Sequence, residues 1–259
     1  KAFVIATLFT LATICSCQTT NYCDPSLCSA RVTHIACNGL TKLSSTCGTG
    51  AVEAVLDSTK QAQILAEHNK LRNKVALGQQ NYTATQFYKQ AARMATLQWD
   101  NDLASIAAAN ARRCVYGHDR CRNTVTMKFV GQNIALQQYY GMTKTDSQLI
   151  TEFVQAWFSE YQYANPSYIA SYPNGYSGPA IGHFTQVVSD RSSKVGCSLV
   201  SYVSGGWTKK LFVCNYGLTN MIGQPVYAAG PTASKCTTGR NPIFSGLCSV
   251  NEVVANSPY

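Results

Sequence analysis

The chain reads as a disulfide-stapled α+β protein, and three observations carry that reading. Three segments repeat apolar residues at helical spacing, near 58–77, 100–113 and 146–160. Two strand-like segments, Lys194 to Val203 and Trp207 to Tyr216, come late in the chain. Helices and strands therefore interleave without regular βαβ units, which argues for mixed α+β layers. Beyond Cys15 and Cys17, ten of the twelve cysteines remain, an even number that reads as five disulfides in an oxidising compartment.

Residues 1–17 open on Lys1 and an apolar run from Phe3 to Ile14, followed by the small residues Cys15, Ser16 and Cys17. That run is too short to span a bilayer, so a secretory signal is expected, cleaved near Cys17 or Gln18. The sequence lacks an initiator methionine and is expected to begin one residue late. No other stretch is long and apolar enough for a membrane helix. Residues 18–57 hold four cysteines and little periodicity, which predicts a stapled, loop-rich segment. Within it Arg31-Val32-Thr33 lies on a short loop between Cys28 and Cys37, whose expected role is structural.

A helix is predicted from Ser58, because Ser58 and Gln61 have capping-box spacing. Ile64, Leu65, His68, Leu71 and Val75 recur on one face, and Gly78 suits the C-terminal cap. His68 is thus expected in the core, hydrogen-bonded rather than metal-bound. Residues 79–97 read as a long polar connection that carries the glycosylation sequon Asn81-Tyr82-Thr83. Asp100 caps a second, alanine-rich helix able to pack closely. Asp146 or Ser147 starts a third, with Leu149, Ile150, Phe153, Val154 and Trp157 on its buried stripe. Glu160 projects from nearly the same face, and a carboxylate there needs a partner. Gly182 to Val188 alternates as a short strand with His183, Thr185 and Val187 on one side. The two late strands flank Ser204-Gly205-Gly206, a hairpin turn, and Cys197 and Cys214 are suited to staple the pair. Residues 223–259, rich in Gly, Pro, Ser and Thr, read as a small tail stapled by Cys236 and Cys248.

Formal charge is +9, scattered apart from Arg112-Arg113, Arg120 and Arg122 and the pair Lys209-Lys210. Scattered charge of this kind favours solubility. No nucleic-acid motif occurs, and no Cys-x-x-Cys motif suggests a cysteine metal site. Composition and spacing leave the disulfide connectivity open.

Five segments follow one another in fixed order: His68-Asn69-Lys70-Leu71-Arg72, Gly131-Gln132-Asn133-Ile134, Trp157-Phe158-Ser159-Glu160, Gly182-His183-Phe184-Thr185-Gln186-Val187-Val188 and Leu211-Phe212-Val213-Cys214-Asn215-Tyr216-Gly217. The set resembles the CAP superfamily of cysteine-rich secretory, antigen 5 and pathogenesis-related proteins, and within it the insect antigen 5 proteins. Thr219-Asn220 and Gln224-Pro225-Val226-Tyr227 look like fly antigen 5 sequences, while Ser189 and Leu218 stand where tryptophan and proline are usual. The resemblance implies a three-layer α-β-α sandwich over 58–222. It implies the pairs Cys23–Cys37, Cys28–Cys121, Cys47–Cys114 and Cys197–Cys214, which leaves Cys236–Cys248. It also implies a cavity formed by His118, Gln132, Glu160 and His183. There His118 and His183 are candidate zinc or copper ligands, with Glu160 orienting an imidazole from behind. Gln132 replaces the glutamate common in the superfamily and removes one negative charge, so metal binding is expected to be weak and no metal required.

Function follows the same resemblance. The expected role is that of a secreted, monomeric, non-catalytic binder of small hydrophobic ligands or extracellular host proteins, an allergen of venom or saliva. Metal-dependent redox chemistry with copper is the alternative. A protease built on Ser159 ranks behind both, because no nucleophile elbow or orienting aspartate accompanies it.

Overall fold

A computed structural model describes residues 20–259 of the protein. The expected signal over 1–17, with Cys15 and Cys17, lies outside the described residues. At the centre is one sheet. Strand β4 (Lys194–Ser204) and strand β5 (Trp207–Tyr216) form the hairpin, and β3 (Gly131–Tyr139) pairs with the far side of β5. Two short edge strands complete it: β1 (Val52–Glu53) runs antiparallel to β4, and β2 (Gln98–Trp99) parallel to it. Side chains alternate across the sheet as strand geometry requires. Val195, Cys197, Leu199, Phe212, Cys214 and Tyr216 face one core, whereas Val200, Tyr202, Leu211 and Val213 face another.

Helices α1 (Ser58–Ala76) and α3 (Asp146–Ser159) cover the first face, and α2 (Asn101–Ala111) covers the second. The outcome is the expected α-β-α sandwich. Capping explains where the helices begin. Asp57, one residue ahead of the expected Ser58, caps α1 by accepting from the Lys60 amide at 3.0 Å. Gln61 is spent on the Leu56 carbonyl instead. Gly78 ends α1 at φ 69°, with its amide on the Val75 carbonyl and that of Gln79 on the Lys74 carbonyl, the two bonds of a Schellman motif. Asp100 caps α2, and Thr145 with Gln148 forms a capping box on α3. The alanines of α2 let it lie directly on β4 at Gly196. A Cβ there would stand 2.7 Å from the Leu103 carbonyl carbon and closer still to Ala104 N.

One element differs from the sequence expectation. Gly182–Val187 is a helix, α5, not a strand. Phe184, Thr185, Gln186, Val187 and Val188 are all buried, so apolar residues surround the segment and its alternation carries no information about faces. Neighbours at both ends fix the helix. Glu160 accepts from its first amides, and at its far end Arg72 holds the carbonyls of Val187 and Ser189, each at 2.8 Å.

Arg72 itself has no carboxylate in hydrogen-bonding contact. It is 0% exposed and also donates to the carbonyls of Ala95 and Ser192. Burial pushes its pKa down to about 10, opposed by the charge of Asp190, so the guanidinium stays charged at neutral pH. Four carbonyls from two chain segments, Ala95 and 187–192, thus converge on one cation. Asn69 exchanges two bonds with the main chain of Leu97 and pins the 79–97 connection to α1.

Five disulfides close the structure: Cys23–Cys37, Cys28–Cys121, Cys47–Cys114, Cys197–Cys214 and Cys236–Cys248. The first four pairings are those the family resemblance implies, and Cys236–Cys248 is the pair it leaves over. The 223–259 segment contains no helix or named strand, but it buries Val226, Tyr227, Leu247 and Cys248 against the domain. It is tied down at Glu252. Burial pushes that carboxyl up, but hydrogen bonds from Thr238, Arg93 and Thr237 outweigh it and hold the pKa at about 2.

Candidate functional site

His118 lies on the loop between α2 and β3, and His183 on the first turn of α5; both line one groove of about 490 Å³. The loop is braced on either side of His118, by Cys114 bonded to Cys47 and Cys121 bonded to Cys28. Gln132, from β3, lines the groove beside His118. Its amide has one orientation that satisfies its neighbours. Nε2 donates to Asp119 Oδ2 at 2.8 Å and to Asn215 Oδ1 at 3.0 Å, so Oε1 accepts from His118 Nδ1 at 2.8 Å. The neutral ring of His118 therefore carries its proton on Nδ1 and keeps the Nε2 lone pair.

Glu160 stands behind His183. It accepts from His183 Nδ1 at 2.6 Å, from the His183 amide at 2.8 Å and from the Phe184 amide at 3.2 Å. These bonds supply the partner that a carboxylate at the end of α3 requires. They also set the second imidazole with Nδ1 engaged and Nε2 available. The ring is stacked on Trp157 at a centroid distance of 6.1 Å, and Trp157 is stacked in turn on Phe212 and Phe212 on Phe153.

Asn133 ties this site to the core. Its amide donates to the His183 carbonyl at 3.2 Å and to Tyr216 Oη at 3.4 Å. Tyr216 donates in turn to His68 Nε2 at 2.8 Å, and His68 Nδ1 donates to the Ile64 carbonyl at 2.7 Å. Burial pushes His68 down to about 4, so the ring is neutral and structural.

Asp119 and Arg72 support the site's side chains, and sequence reasoning assigned neither a role, although Arg72 closes the first of the five family segments. Asp119 is buried, accepts from Asn110 and Gln132, and pairs with Arg122 Nε at 2.9 Å. Its signal was its place beside His118 between two cysteines, three residues before an arginine. It also gives Gln132 a physical reason. A glutamate at 132 would set two carboxylates against each other, and the amide removes that repulsion.

The donor set decides what a metal would find. Among the described residues no group of three or more His, Cys, Asp or Glu is placed to hold an ion. Gln132 Oε1 and both Glu160 oxygens are already spent on protein donors. An ion in this groove would meet at most the two imidazole Nε2 atoms, with water for the rest of its shell, and not a closed cage of protein ligands. The Ser159 hydroxyl donates to the Ala156 carbonyl at 2.7 Å. A second, apolar groove of about 390 Å³ lies between α4 (Pro166–Ala170) and the 225–229 segment, walled by Tyr88, Ile169, Pro225, Tyr227 and Ala228. Asn81 is partly exposed, with its amide on the Thr83 carbonyl at 2.9 Å. No helix among the described residues is long and apolar enough to cross a membrane.

Comparison with known proteins follows the same lines. A sequence model of the Cysteine-rich secretory protein family (CAP) matches residues 65–216. The chain is 44% identical over 256 residues to "Venom allergen-1" of Aedes aegypti, covering 99% of this chain and 98% of that protein. It is 36% identical to "Antigen 5 like allergen Cul n 1" of Culicoides nubeculosus, covering 71% of this chain and 84% of that protein. It is 35% identical to "Venom allergen 5" of Vespa velutina, covering 80% and 98%. Among solved structures, NaASP2, determined with Zn2+, is similar at 29% identity and a TM-score of 0.61, covering 74% of this chain and 96% of its own. BmVAL-1, at 24% identity and a TM-score of 0.63, covers 76% and 96% and shares the fold.

Proposed function

Because the chain belongs to the CAP family of cysteine-rich secretory proteins, we propose that it is a secreted, non-catalytic binding protein of the antigen 5 type whose ligand is a small hydrophobic molecule. The observation that carries the ligand class is the apolar groove beside α4, with a volume of about 390 Å³. That volume lies within the range of small-molecule sites, and its walls are mostly tyrosines, prolines, isoleucine and alanines, with Lys89 and Ser167 as the polar members. Resemblance to insect venom allergens supports an extracellular role, and five disulfides suit the oxidising compartments through which such proteins pass. In this reading the domain spans 58–222, with the stapled 18–57 segment before it and the 223–259 tail packed on it.

Displacement of a fluorescent fatty-acid probe tests the groove. The native protein is expected to bind the probe, and Ala170→Trp, which fills the groove from an exposed position, is expected to abolish binding. Unchanged binding in that variant, or none in the native protein, refutes the assignment.

A second reading is favoured by His118 and His183 lining one groove, each with Nδ1 engaged and Nε2 without a protein partner, and by the zinc in the NaASP2 structure. These two residues would hold zinc or copper, with Gln132 and Glu160 fixing their rings. Bound copper would supply one-electron redox chemistry. Calorimetry on the native protein, His118→Ala and His183→Ala decides it. Loss in both variants supports the site, and identical titrations in all three refute it.

A further inference from the structure

A third cavity, of about 350 Å³, lies where the C-terminal segment crosses the turn after α5. It shares no residue with the histidine groove and only Ala228 with the apolar one, and the family match ends at residue 216, short of the tail that builds one wall. The lining is unusual in its charge. Arg93, Arg191 and Lys235 contribute three cations and Asp190 one carboxylate. Asp190 is only 3% exposed, and both of its oxygens accept from Tyr259 Oη, at 2.9 and 2.8 Å, while Oδ2 also accepts from the Ala228 amide. It therefore offers little to a cation.

The cations keep donors in reserve. Arg93 uses Nε on Glu252 and Nη2 on the Val253 carbonyl. Arg191 uses Nε and Nη2 on Ser257, and its guanidinium lies 4.4 Å over the Tyr259 ring. The Nη1 group of each, and the exposed Nζ of Lys235, make no hydrogen bond or ion pair among the described residues. Three lining cations (Arg93, Arg191, Lys235) face one lining carboxylate, Asp190, and Glu252 pairs with Arg93 from outside the lining, which leaves an excess of one positive charge. The remaining wall, Ala228, Val253, Val254 and Ala255, is apolar.

We propose that this cavity binds a tetrahedral oxyanion, the phosphate or equivalent sulfate group of an ester whose carbon chain lies on the valine wall. Guanidinium and ammonium donors suit such oxygens through charge-assisted bonds. The apolar side distinguishes an ester from a free ion.

Titration calorimetry at low salt with inorganic phosphate and with hexyl phosphate, on the full chain, tests this. Hexyl phosphate is expected to bind at least about tenfold more tightly than inorganic phosphate. Lys235→Ala and Arg191→Gln are each expected to weaken hexyl phosphate by about tenfold or more, the value of one charge-assisted hydrogen bond. Lys42→Ala, an exposed lysine of the N-terminal segment, is expected to change nothing. No binding of either probe overturns the site. Equal affinity for the two probes overturns the ester, leaving a free oxyanion as ligand. An equal loss in Lys42→Ala reduces the effect to net charge and overturns the location.

Discussion

Replacing Arg72 with methionine keeps most of the side-chain volume and removes five hydrogen bonds to four buried carbonyls, those of Ala95, Val187, Ser189 and Ser192. A buried acceptor left without a partner costs about 1–3 kcal/mol; the Ser189 carbonyl keeps the Ser192 amide, so three orphaned acceptors give a gross loss of about 3–9 kcal/mol. Removing a guanidinium from the interior returns several kcal/mol of desolvation, and water entering the space recovers part of the rest. The net expectation is about 3–5 kcal/mol of destabilisation, at the severe end for a single substitution. Urea unfolding measures it directly, and Arg72→Lys is expected to fall between, because an ammonium has three donors and no planar fork. The loss is also local. Amide exchange over 182–189 is expected to quicken before global unfolding, since Arg72 holds the carbonyl end of α5. A methionine variant within about 1 kcal/mol of the native protein, with unchanged exchange there, would refute the idea that this cation organises the segment carrying His183.

Three further outcomes are expected. Gly196→Ala drives a methyl into the main chain of α2 and should destabilise the protein by about 3 kcal/mol, read as a lowered melting temperature. His68 is pushed from 6.5 down to about 4 by burial; the unfolded chain therefore binds a proton that the folded chain refuses. The resulting stability is present above about pH 6.5 and is lost as pH falls towards 4, by about 3 kcal/mol in all. It should appear as the difference between the denaturation curves of the native protein and His68→Gln. Asn81 in its sequon is expected to carry a glycan when the protein is made through a secretory pathway; a mass that changes in Asn81→Gln only by the added methylene would contradict this.

The elements readable from the sequence are those whose causes are local. Asp100 at the start of α2, Gly78 at the end of α1 and Gly205-Gly206 between β4 and β5 each act through their own turn. The stripe of α3 is equally plain, because one side faces the core and the other solvent. α5 was misread because no such contrast exists there: its fold is dictated by Glu160 and Arg72, distant in sequence. The same holds at the site. His118, Gln132, Glu160 and His183 were named through family likeness, and the residues that hold them were not. Asp119 orients Gln132 through space, and Asn133 links His183 to Tyr216 and His68; no periodicity marks such partners. The Ser58 cap expectation failed by one residue, since Asp57 offers the better acceptor.

The file of aromatic rings running from Phe153 through Phe212 and Trp157 to His183 gives the protein a built-in optical gauge. Trp157 is nearly sealed from solvent at 3% exposure, whereas Trp207 is 45% exposed, so their emission differs in colour. Copper held at His183, as in the second reading above, would stand one ring away from the blue-emitting indole and dim it, while Trp99 on the edge strand β2 and the exposed Trp207 would keep most of their light. Under that reading, filling of the site would be visible in the unlabelled molecule by light alone.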